Sequence, residues 1–164
     1  MSNKIRRLTA NDVNVYRTIR LTALQTDRDA FGSTFERESL FDETTWLERI
    51  TTFKNKPNTV VIEEIEGQPI AVGGIGITEE YHVAEIWGMW VTPTARRQGS
   101  GRRILCELKK WAKENQITGI VLHVFKHNTE AINLYKRCGF DASSPNDSTN
   151  TNSSSEIEMN LTLK

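Results

Sequence analysis

The order of its strand-like and helix-like segments is the feature that most constrains the fold of this chain. Three segments rich in apolar and β-branched residues follow one another between Thr59 and Thr92, and the turn sequence Glu66-Gly67-Gln68-Pro69 separates the first two. An amphipathic helix pattern over Gly101 to Asn115, an apolar strand over Gly119 to Phe125 and a short helix over Thr129 to Arg137 come next. Strands therefore alternate with helices only in the middle of the chain.

The two ends of the chain complete this order. Thr9 with Asp12 three residues later resembles a capping box before the first helix. The other predicted segments are a strand over Lys4 to Leu8, a helix from Val13 to Leu24, an irregular stretch over Asp27 to Glu38, a helix over Glu43 to Phe53, and strands from Phe140 and over Glu156 to Leu163. The whole order predicts the α/β (α+β) class, with a mixed, mostly antiparallel central sheet flanked by helices.

Length and charge limit the organisation and the partners. The 164 residues suit one domain over 1–164, and the Ser-, Asn- and Thr-rich stretch Ser143 to Ser155 is predicted to be a mobile loop. Because 21 basic residues balance 21 acidic ones, no overall charge favours nucleic acid or an anionic membrane. No stretch approaches a membrane span, and no apolar leader begins the chain, so we expect a soluble, cytoplasmic protein.

The two cysteines argue against a metal site. Cys106 and Cys138 belong neither to a Cys-x-x-Cys motif nor to a cluster with histidine. We therefore expect free, reduced thiols in the core and no bound metal.

An anion-binding loop is the strongest local signal. Arg96-Arg97-Gln98-Gly99-Ser100-Gly101 lies between a predicted strand and the long helix. Glycines allow a tight turn and a close approach of the backbone to a ligand, and the first amides of a helix are free to bind phosphate oxygens. Arg102 and Arg103 extend the positive charge. The same pattern also fits a plain turn and helix cap with solvated arginines. A Walker-type nucleotide loop is excluded, because no Lys-Ser or Lys-Thr follows.

The chain resembles the GCN5-related N-acetyltransferases from this loop onward. The resemblance is carried by Trp90-Val91-Thr92-Pro93, by R-x-x-G-x-G at Arg96 to Gly101, by the strand around Val121 to Val124, by Asn128, and by Ala131-Ile132-x-Leu134-Tyr135-x-x-x-Gly139-Phe140. These pieces span about a third of the chain, in the order and at the spacing of the family. The resemblance implies a single domain with splayed central strands and acetyl-CoA as cosubstrate.

The resemblance also implies a cofactor site. Backbone amides from Gln98 to Arg102 would hold the CoA pyrophosphate, and the pantetheine arm would enter a gap between the strand ending at Val91 and the strand Gly119 to Phe125. The cofactor-binding residues that it implies are Met89, Val91, Arg96, Arg97, Gln98, Gly99, Ser100, Gly101, Arg102 and Asn128.

Three catalytic residues are implied in the same way. Tyr135 would protonate the departing CoA thiolate, although on its own it also fits a core tyrosine. The Met89 amide would stabilise the oxyanion of the tetrahedral intermediate. Glu85 is the candidate base: six residues before Val91, it is expected on the same sheet face as Val91, Trp87 and Met89. Proton removal through water stays open as an alternative, with contributions from Glu80, Tyr81 and His82.

The resemblance implies a primary amine as the acceptor, but it does not identify which amine. Phe31 and Phe35 are candidate acceptor-binding residues with Glu85, and Glu36 and Glu38 are candidates for attracting a cation; core aromatics and surface acids explain the same residues equally well. The pattern Arg20-Leu21-x-Ala23-Leu24 followed by Ala30-Phe31-Gly32 resembles a subset of the family.

No covalent nucleophile is evident, which predicts direct transfer in a ternary complex. The rival is a non-catalytic acyl-CoA-binding module that regulates another protein. A homodimer is also expected from the resemblance.

Overall fold

A computed structural model describes residues 2–143 and 155–164, and these residues form eight strands and five α-helices. The strands are β1 (Asn3–Arg7), β2 (Thr52–Phe53), β3 (Lys56–Ile65), β4 (Gln68–Ile77), β5 (Val83–Val91), β6 (Gly119–Phe125), β7 (Asp141–Ala142) and β8 (Glu156–Thr162). The helices are α1 (Val13–Thr26), α2 (Phe35–Glu38), α3 (Glu43–Ile50), α4 (Ser100–Glu114) and α5 (Thr129–Arg137).

The strands form one sheet in the order β1-β3-β4-β5-β6-β8-β7, and β2 pairs with β3 outside this path. Neighbouring strands are antiparallel except β5 and β6, which are parallel. The predicted class, a mixed and mostly antiparallel sheet flanked by helices, is confirmed.

Most predicted segments match the structure closely, and the differences have local causes. The helix predicted to reach Phe53 ends at Ile50, because the chain turns at Lys54 and Asn55, both with positive φ, and pairs Thr52 and Phe53 with β3. The irregular stretch Asp27 to Glu38 contains a short 3-10 turn and the four-residue α2.

The predicted capping box at the first helix is confirmed. The Thr9 amide donates to the Asp12 carboxylate at 2.7 Å, and the Asn11 amide donates to the Thr9 hydroxyl at 3.3 Å. These bonds satisfy amides that a helix start leaves free, and they set the direction in which α1 leaves the sheet edge.

The sheet has a hydrophobic core on each face. One core joins the sheet to α4 and α5 through Ile104, Leu108, Ile120 and Phe140, and we call it the α4 face. The other joins the sheet to α1 and α3 through Tyr16, Trp46, Val60 and Ile62, and we call it the α1 face. Because helices cover both faces of the sheet, the ends of its strands are where a ligand can enter.

One core prediction is wrong. Cys106 lies on α4 but is exposed, whereas Cys138 is half-buried, so only one of the two free thiols is near a core. In residues 2–143 and 155–164, no helix is both long and apolar enough to cross a bilayer. The predicted loop Ser143 to Ser155 falls, apart from its two end residues, outside the described residues.

Candidate functional site

The sheet opens between β5 and β6, the only parallel neighbours among the described strands. Val83 to Ile86 of β5 pair with Gly119 to Leu122 of β6, and the pairing ends there. Beyond this point β5 stays paired with β4 as far as Val91, and β6 stays paired with β8 as far as Phe125. The two strands therefore separate while each keeps its outer partner, and the predicted splay is confirmed.

A bulge in β5 changes which face each side chain occupies. Gly88 has φ +64°, and the register with β4 shifts between Val72 and Gly74 at this point. Trp87, before the bulge, packs on the α1 face, whereas Met89 and Val91, after it, pack on the α4 face.

The prediction that Glu85 shares a face with Met89 and Val91 is consequently wrong. Strict alternation along the strand would have placed them together, but the extra residue inverts the alternation. Glu85 lies on the α1 face, beside His123.

A cavity of about 870 Å³ runs along the opening. It brings together five predicted site residues from three parts of the chain: Phe31, Glu85, Met89, Asn128 and Tyr135. Glu38, predicted to attract a cation, also lines this cavity, whereas the predicted residues of the glycine loop lie elsewhere. Among the described residues that line this cavity, neither Phe35 nor Val91 occurs.

Tyr135 reaches the cavity from the α4 face. Its side chain is 7% exposed and packs edge-on against Phe140, with ring centroids 6.0 Å apart. Burial raises the pKa of its phenol above the ordinary value, so the hydroxyl keeps its proton throughout the neutral range. Within the described ranges this hydroxyl has no hydrogen-bond partner, which leaves the proton available to a ligand.

Glu85 belongs to a row of three polar side chains that crosses three strands. His123 Nδ1 lies 3.3 Å from Glu85 Oε1, and His123 Nε2 lies 3.3 Å from Glu158 Oε2. The Glu85 side chain is 45% exposed, so water reaches it. The sequence reasoning did not include His123 in the site. The parallel pairing of Glu85 with Val121 places His123 next along the same face.

A buried ion network forms the wall of the cavity next to α1. Glu38, which is 0% exposed, accepts from Arg20 Nε and Nη2 at 3.0 and 2.9 Å and from Arg49 Nη1 at 3.0 Å. Burial opposes ionisation of Glu38, but the hydrogen bonds and charges of Arg20, and then of Arg49, outweigh it and lower its pKa to about 2. The expectation that Glu38 attracts a substrate cation is wrong, because two arginines already neutralise it.

Among the features of the predicted anion-binding loop, the structure agrees best with the free amides at the start of α4. Gly99 has φ +88° and precedes the first residue of α4 without any side-chain cap. Within the described residues, no hydrogen bond is donated by the backbone amides from Gln98 to Arg102. Five free amides at a helix start form a site for phosphate oxygens.

The four arginines divide into two pairs. Arg97 and Arg102 are on the surface, Arg97 being 3.3 Å from Glu130. Arg96, however, donates to the Val91 carbonyl at 2.9 Å and to Asp27 at 2.6 Å, and Arg103 donates to buried Glu63 at 2.8 Å. The prediction that Arg96 binds the cofactor therefore needs correction for its side chain, which anchors the loop instead.

The two glycines of the loop have different roles. Gly99 requires its left-handed backbone, whereas a Cβ on Gly101 would lie 2.7 Å from Leu134 of α5. Gly101 thus allows α4 and α5 to approach each other, and the expectation that it admits a ligand is not what its contacts indicate. Gly99, Arg102, Arg103 and Cys106 contribute to a second cavity, of about 500 Å³, beside the start of α4.

Comparisons with known proteins agree with this geometry. Residues 21–140 match the model of the acetyltransferase (GNAT) family. A streptothricin acetyltransferase from Escherichia coli is 36% identical over 70 residues, which are 42% of this chain and 40% of that protein. The aligned part therefore spans less than half the length of that relative.

Two solved structures illustrate the similarity of fold. An acetyltransferase of the GNAT family from Staphylococcus aureus Mu50 superposes with a TM-score of 0.77 over 99% of this chain and 100% of that chain, at 15% identity. The PaiA N-acetyltransferase from Thermoplasma acidophilum, in complex with coenzyme A, has a TM-score of 0.69 over the same shares, at 14% identity.

Proposed function

Because the chain belongs to the acetyltransferase (GNAT) family, we propose that it transfers an acetyl group from acetyl-CoA to a primary amine of a small molecule or protein. The observation that carries this proposal is the opening between β5 and β6, where Met89, Asn128 and Tyr135 line one cavity. An opening of this kind exposes strand backbone to an extended ligand, which an intact sheet cannot do.

The residues around the opening fit acetyl-CoA. The free amides of Gln98 to Arg102 would hold the pyrophosphate, with Arg97 and Arg102 adding charge. Val91 would bind the pantetheine arm through its backbone: Thr92 donates to Ile70 in β4, so the alternation of the ladder turns the Val91 amide toward the gap. Asn128 caps α5 with its side-chain oxygen, which leaves its amide nitrogen to donate to the same arm.

Transfer follows from the groups at the end of the gap. The free amine attacks the thioester carbon and forms a tetrahedral intermediate, whose oxyanion would be stabilised by the Met89 amide. The intermediate then collapses, the carbon–sulfur bond breaks, and the departing thiolate takes a proton from Tyr135. The cavity would place amine and thioester together, which is a direct ternary-complex mechanism.

The proton that the amine loses would pass to Glu85. Because Glu85 and Met89 are four residues apart on opposite faces, one or more waters would carry the proton between amine and carboxylate. His123, in contact with Glu85, would hold the carboxylate in place. Glu80, Tyr81 and His82, in the turn before β5, remain alternative contributors.

A binding measurement with a turnover measurement tests the proposal. We expect acetyl-CoA to bind with micromolar affinity in isothermal titration, and CoA to be released when amines are added. A non-catalytic acyl-CoA-binding module, the alternative function, would bind without turnover. Failure of the wild-type protein to bind acetyl-CoA would remove the basis of both functions.

Gly99→Ala tests the loop with less disturbance than a larger residue would cause. Its Cβ would strain a left-handed backbone by about 1 to 2 kcal/mol and lie 2.8 Å from Arg103 Nη1. We expect acetyl-CoA to bind about tenfold more weakly, because the free amides shift. Gly119→Ala is the matched control, since its Cβ would meet Val83 at an ordinary 3.8 Å. Equal affinities of the two variants would contradict the assignment.

Glu85→Gln tests the base. We expect kcat/KM to fall about tenfold to a hundredfold at neutral pH, and to recover partly at high pH, where the amine loses its proton to solvent. The pH dependence of CoA release measures this. Glu79→Gln is the control, because Glu79 is an exposed carboxylate that pairs with Lys56. A uniform loss at every pH would assign Glu85 to substrate binding instead.

Three broader expectations accompany the activity. The streptothricin acetyltransferase similarity favours a small-molecule amine, although it covers only part of that relative. A cytoplasmic location is proposed because acetyl-CoA is an intracellular metabolite, and a homodimer is proposed from the family resemblance. The prediction of a single domain over 1–164 remains a prediction.

A further inference from the structure

The α1-face wall of the cavity contains an arginine with one nitrogen that the protein leaves unused. Arg20 is 8% exposed, and its Nε and Nη2 atoms both bond Glu38. Its third nitrogen, Nη1, is buried and has no hydrogen-bond partner among the described residues. A buried N–H without an acceptor costs free energy, so its retention calls for a functional explanation.

The free nitrogen lies beside the β5 bulge. A Cβ on Gly88 would be only 3.4 Å from Arg20 Nη1, and Gly88 immediately precedes Met89. Phe31 lies under the guanidinium, 4.9 Å from its carbon to the ring centroid, and restricts its movement. Arg20, Phe31 and Gly88 all line the cavity. The nitrogen is therefore fixed next to the point where the acetyl group is proposed to be transferred.

The charge around this nitrogen is positive. Glu38 carries one negative charge, and its two oxygens are bonded by Arg20 and Arg49, so the three side chains together carry one net positive charge. Exposed Arg37, which precedes Glu38 in the chain, also lines the cavity. A positive, poorly hydrated wall repels an ammonium group and attracts an anionic oxygen.

A negative charge, that of Glu85, lies on the N-terminal side of Gly88 in β5. Glu85 is three residues before Gly88, a separation of about 10 Å along a strand. His123 and Glu158 adjoin Glu85 on the same face. In a ligand that carries both an amine and an anion, the amine could give its proton to Glu85 while the anion accepts a hydrogen bond from Arg20 Nη1.

We infer that the acceptor is an amino carboxylate, an amine with a carboxylate a few bonds from its nitrogen, and that Arg20 Nη1 binds that carboxylate. This class presupposes the acetyl transfer proposed above. Arg20 then determines acceptor specificity, while Glu38 and Arg49 position its guanidinium. A purely cationic polyamine, which the glutamates elsewhere in the cavity would suit, is the competing class.

The experiment measures CoA release with each standard L-amino acid, its carboxamide and spermidine. The carboxamide keeps the amine and the side chain but lacks the anion. We expect kcat/KM for the best amino acid to exceed that for its amide by about tenfold or more, the effect of one charge-assisted hydrogen bond. An amide or spermidine used equally well or better by the wild-type protein would overturn the inference, as would a failure of every amino acid.

Arg20→Lys tests whether Arg20 causes the preference for an amino acid over its carboxamide. Lysine still pairs with Glu38 as a point charge but has no third nitrogen aimed at Gly88. We expect the ratio of kcat/KM for the amino acid to kcat/KM for its carboxamide to fall toward one, mainly through a higher KM for the amino acid. The affinity for acetyl-CoA should not change. Arg7→Lys is the control and keeps the ratio, because Arg7 pairs with Glu107 and Glu114 and is not among the described residues that line the cavity.

The possible outcomes separate the two levels of proposal. An unchanged ratio in Arg20→Lys would overturn the role of Arg20. If Arg20→Lys does not fold, the wild-type ratio decides the acceptor class by itself. A wild-type protein that binds acetyl-CoA and acetylates amines without favouring carboxylates would refute the inference alone, whereas a protein that does not bind acetyl-CoA would refute the proposed function.

Discussion

Tyr135→Phe is expected to reduce kcat by about 100-fold or more while leaving the affinity for acetyl-CoA unchanged. The substitution removes only the hydroxyl, and with it the proton that the departing thiolate needs. Burial raises the pKa of this phenol, so the wild-type group is protonated at every pH at which the protein is assayed. The reduction in kcat caused by Tyr135→Phe should therefore be nearly constant from about pH 6 to pH 9, whereas the reduction caused by Glu85→Gln should vary with pH.

Stability offers an internal check on this result. Because the Tyr135 hydroxyl makes no hydrogen bond within the described residues, phenylalanine should keep the packing against Phe140 and the thermal midpoint. Tyr16→Phe is the matched control: Tyr16 is 1% exposed and packs edge-on against Trp46, but on the α1 face and away from the cavity lining. Full turnover by Tyr135→Phe would show that water protonates the thiolate.

Glu38→Gln is expected to lower the free energy of unfolding by about 3 to 5 kcal/mol at pH 7, the cost of breaking a buried ion pair from one side. The amide cannot balance Arg20 and Arg49, so the buried Arg20 and the half-buried Arg49 are left with no negative partner among the described residues. Glu36→Gln, two residues away on α2, is the control, because its contact with Arg28 is exposed and 3.6 Å long. Denaturant unfolding followed by circular dichroism measures both.

The pH dependence of this effect has a definite sign. The pKa of Glu38 is about 2 in the folded protein, against 4.5 ordinarily. Its stabilisation is therefore complete above about pH 4.5 and is lost as the pH falls toward 2. The difference between wild type and Glu38→Gln should shrink by about 2 kcal/mol between pH 7 and pH 3. A difference that does not change with pH would mean that packing, not charge, makes Glu38 important.

Much of the fold could be predicted because its signals are local. Helix α5, from Thr129 to Arg137, matches the prediction residue for residue, since an asparagine cap and a following glycine limit it within a dozen residues. The segments of the sheet were predicted from β-branched runs and turn residues to within a few positions. Only Thr52 and Phe53 were assigned to the wrong element, because a two-residue strand has no periodicity to detect.

The site was predicted less completely because its contacts join distant segments. Arg20 follows the helical spacing of the buried positions of α1, but its partner Glu38 lies 18 positions away. His123 joins a glutamate 38 positions before it to another in the last strand. No local pattern encodes pairings at such separations.

From the sequence alone, the chain's class, the order of its elements, the glycine turn before α4 and the family resemblance around Tyr135 could be determined. These depend on backbone preferences and short spacings, which act within a few residues. The tertiary structure decided which arginines bind protein instead of remaining free, and on which face Glu85 lies. Whether Glu85 shares a face with Met89 and Val91 depends on a single bulge at Gly88, because one extra residue in a strand inverts the alternation of every side chain after it.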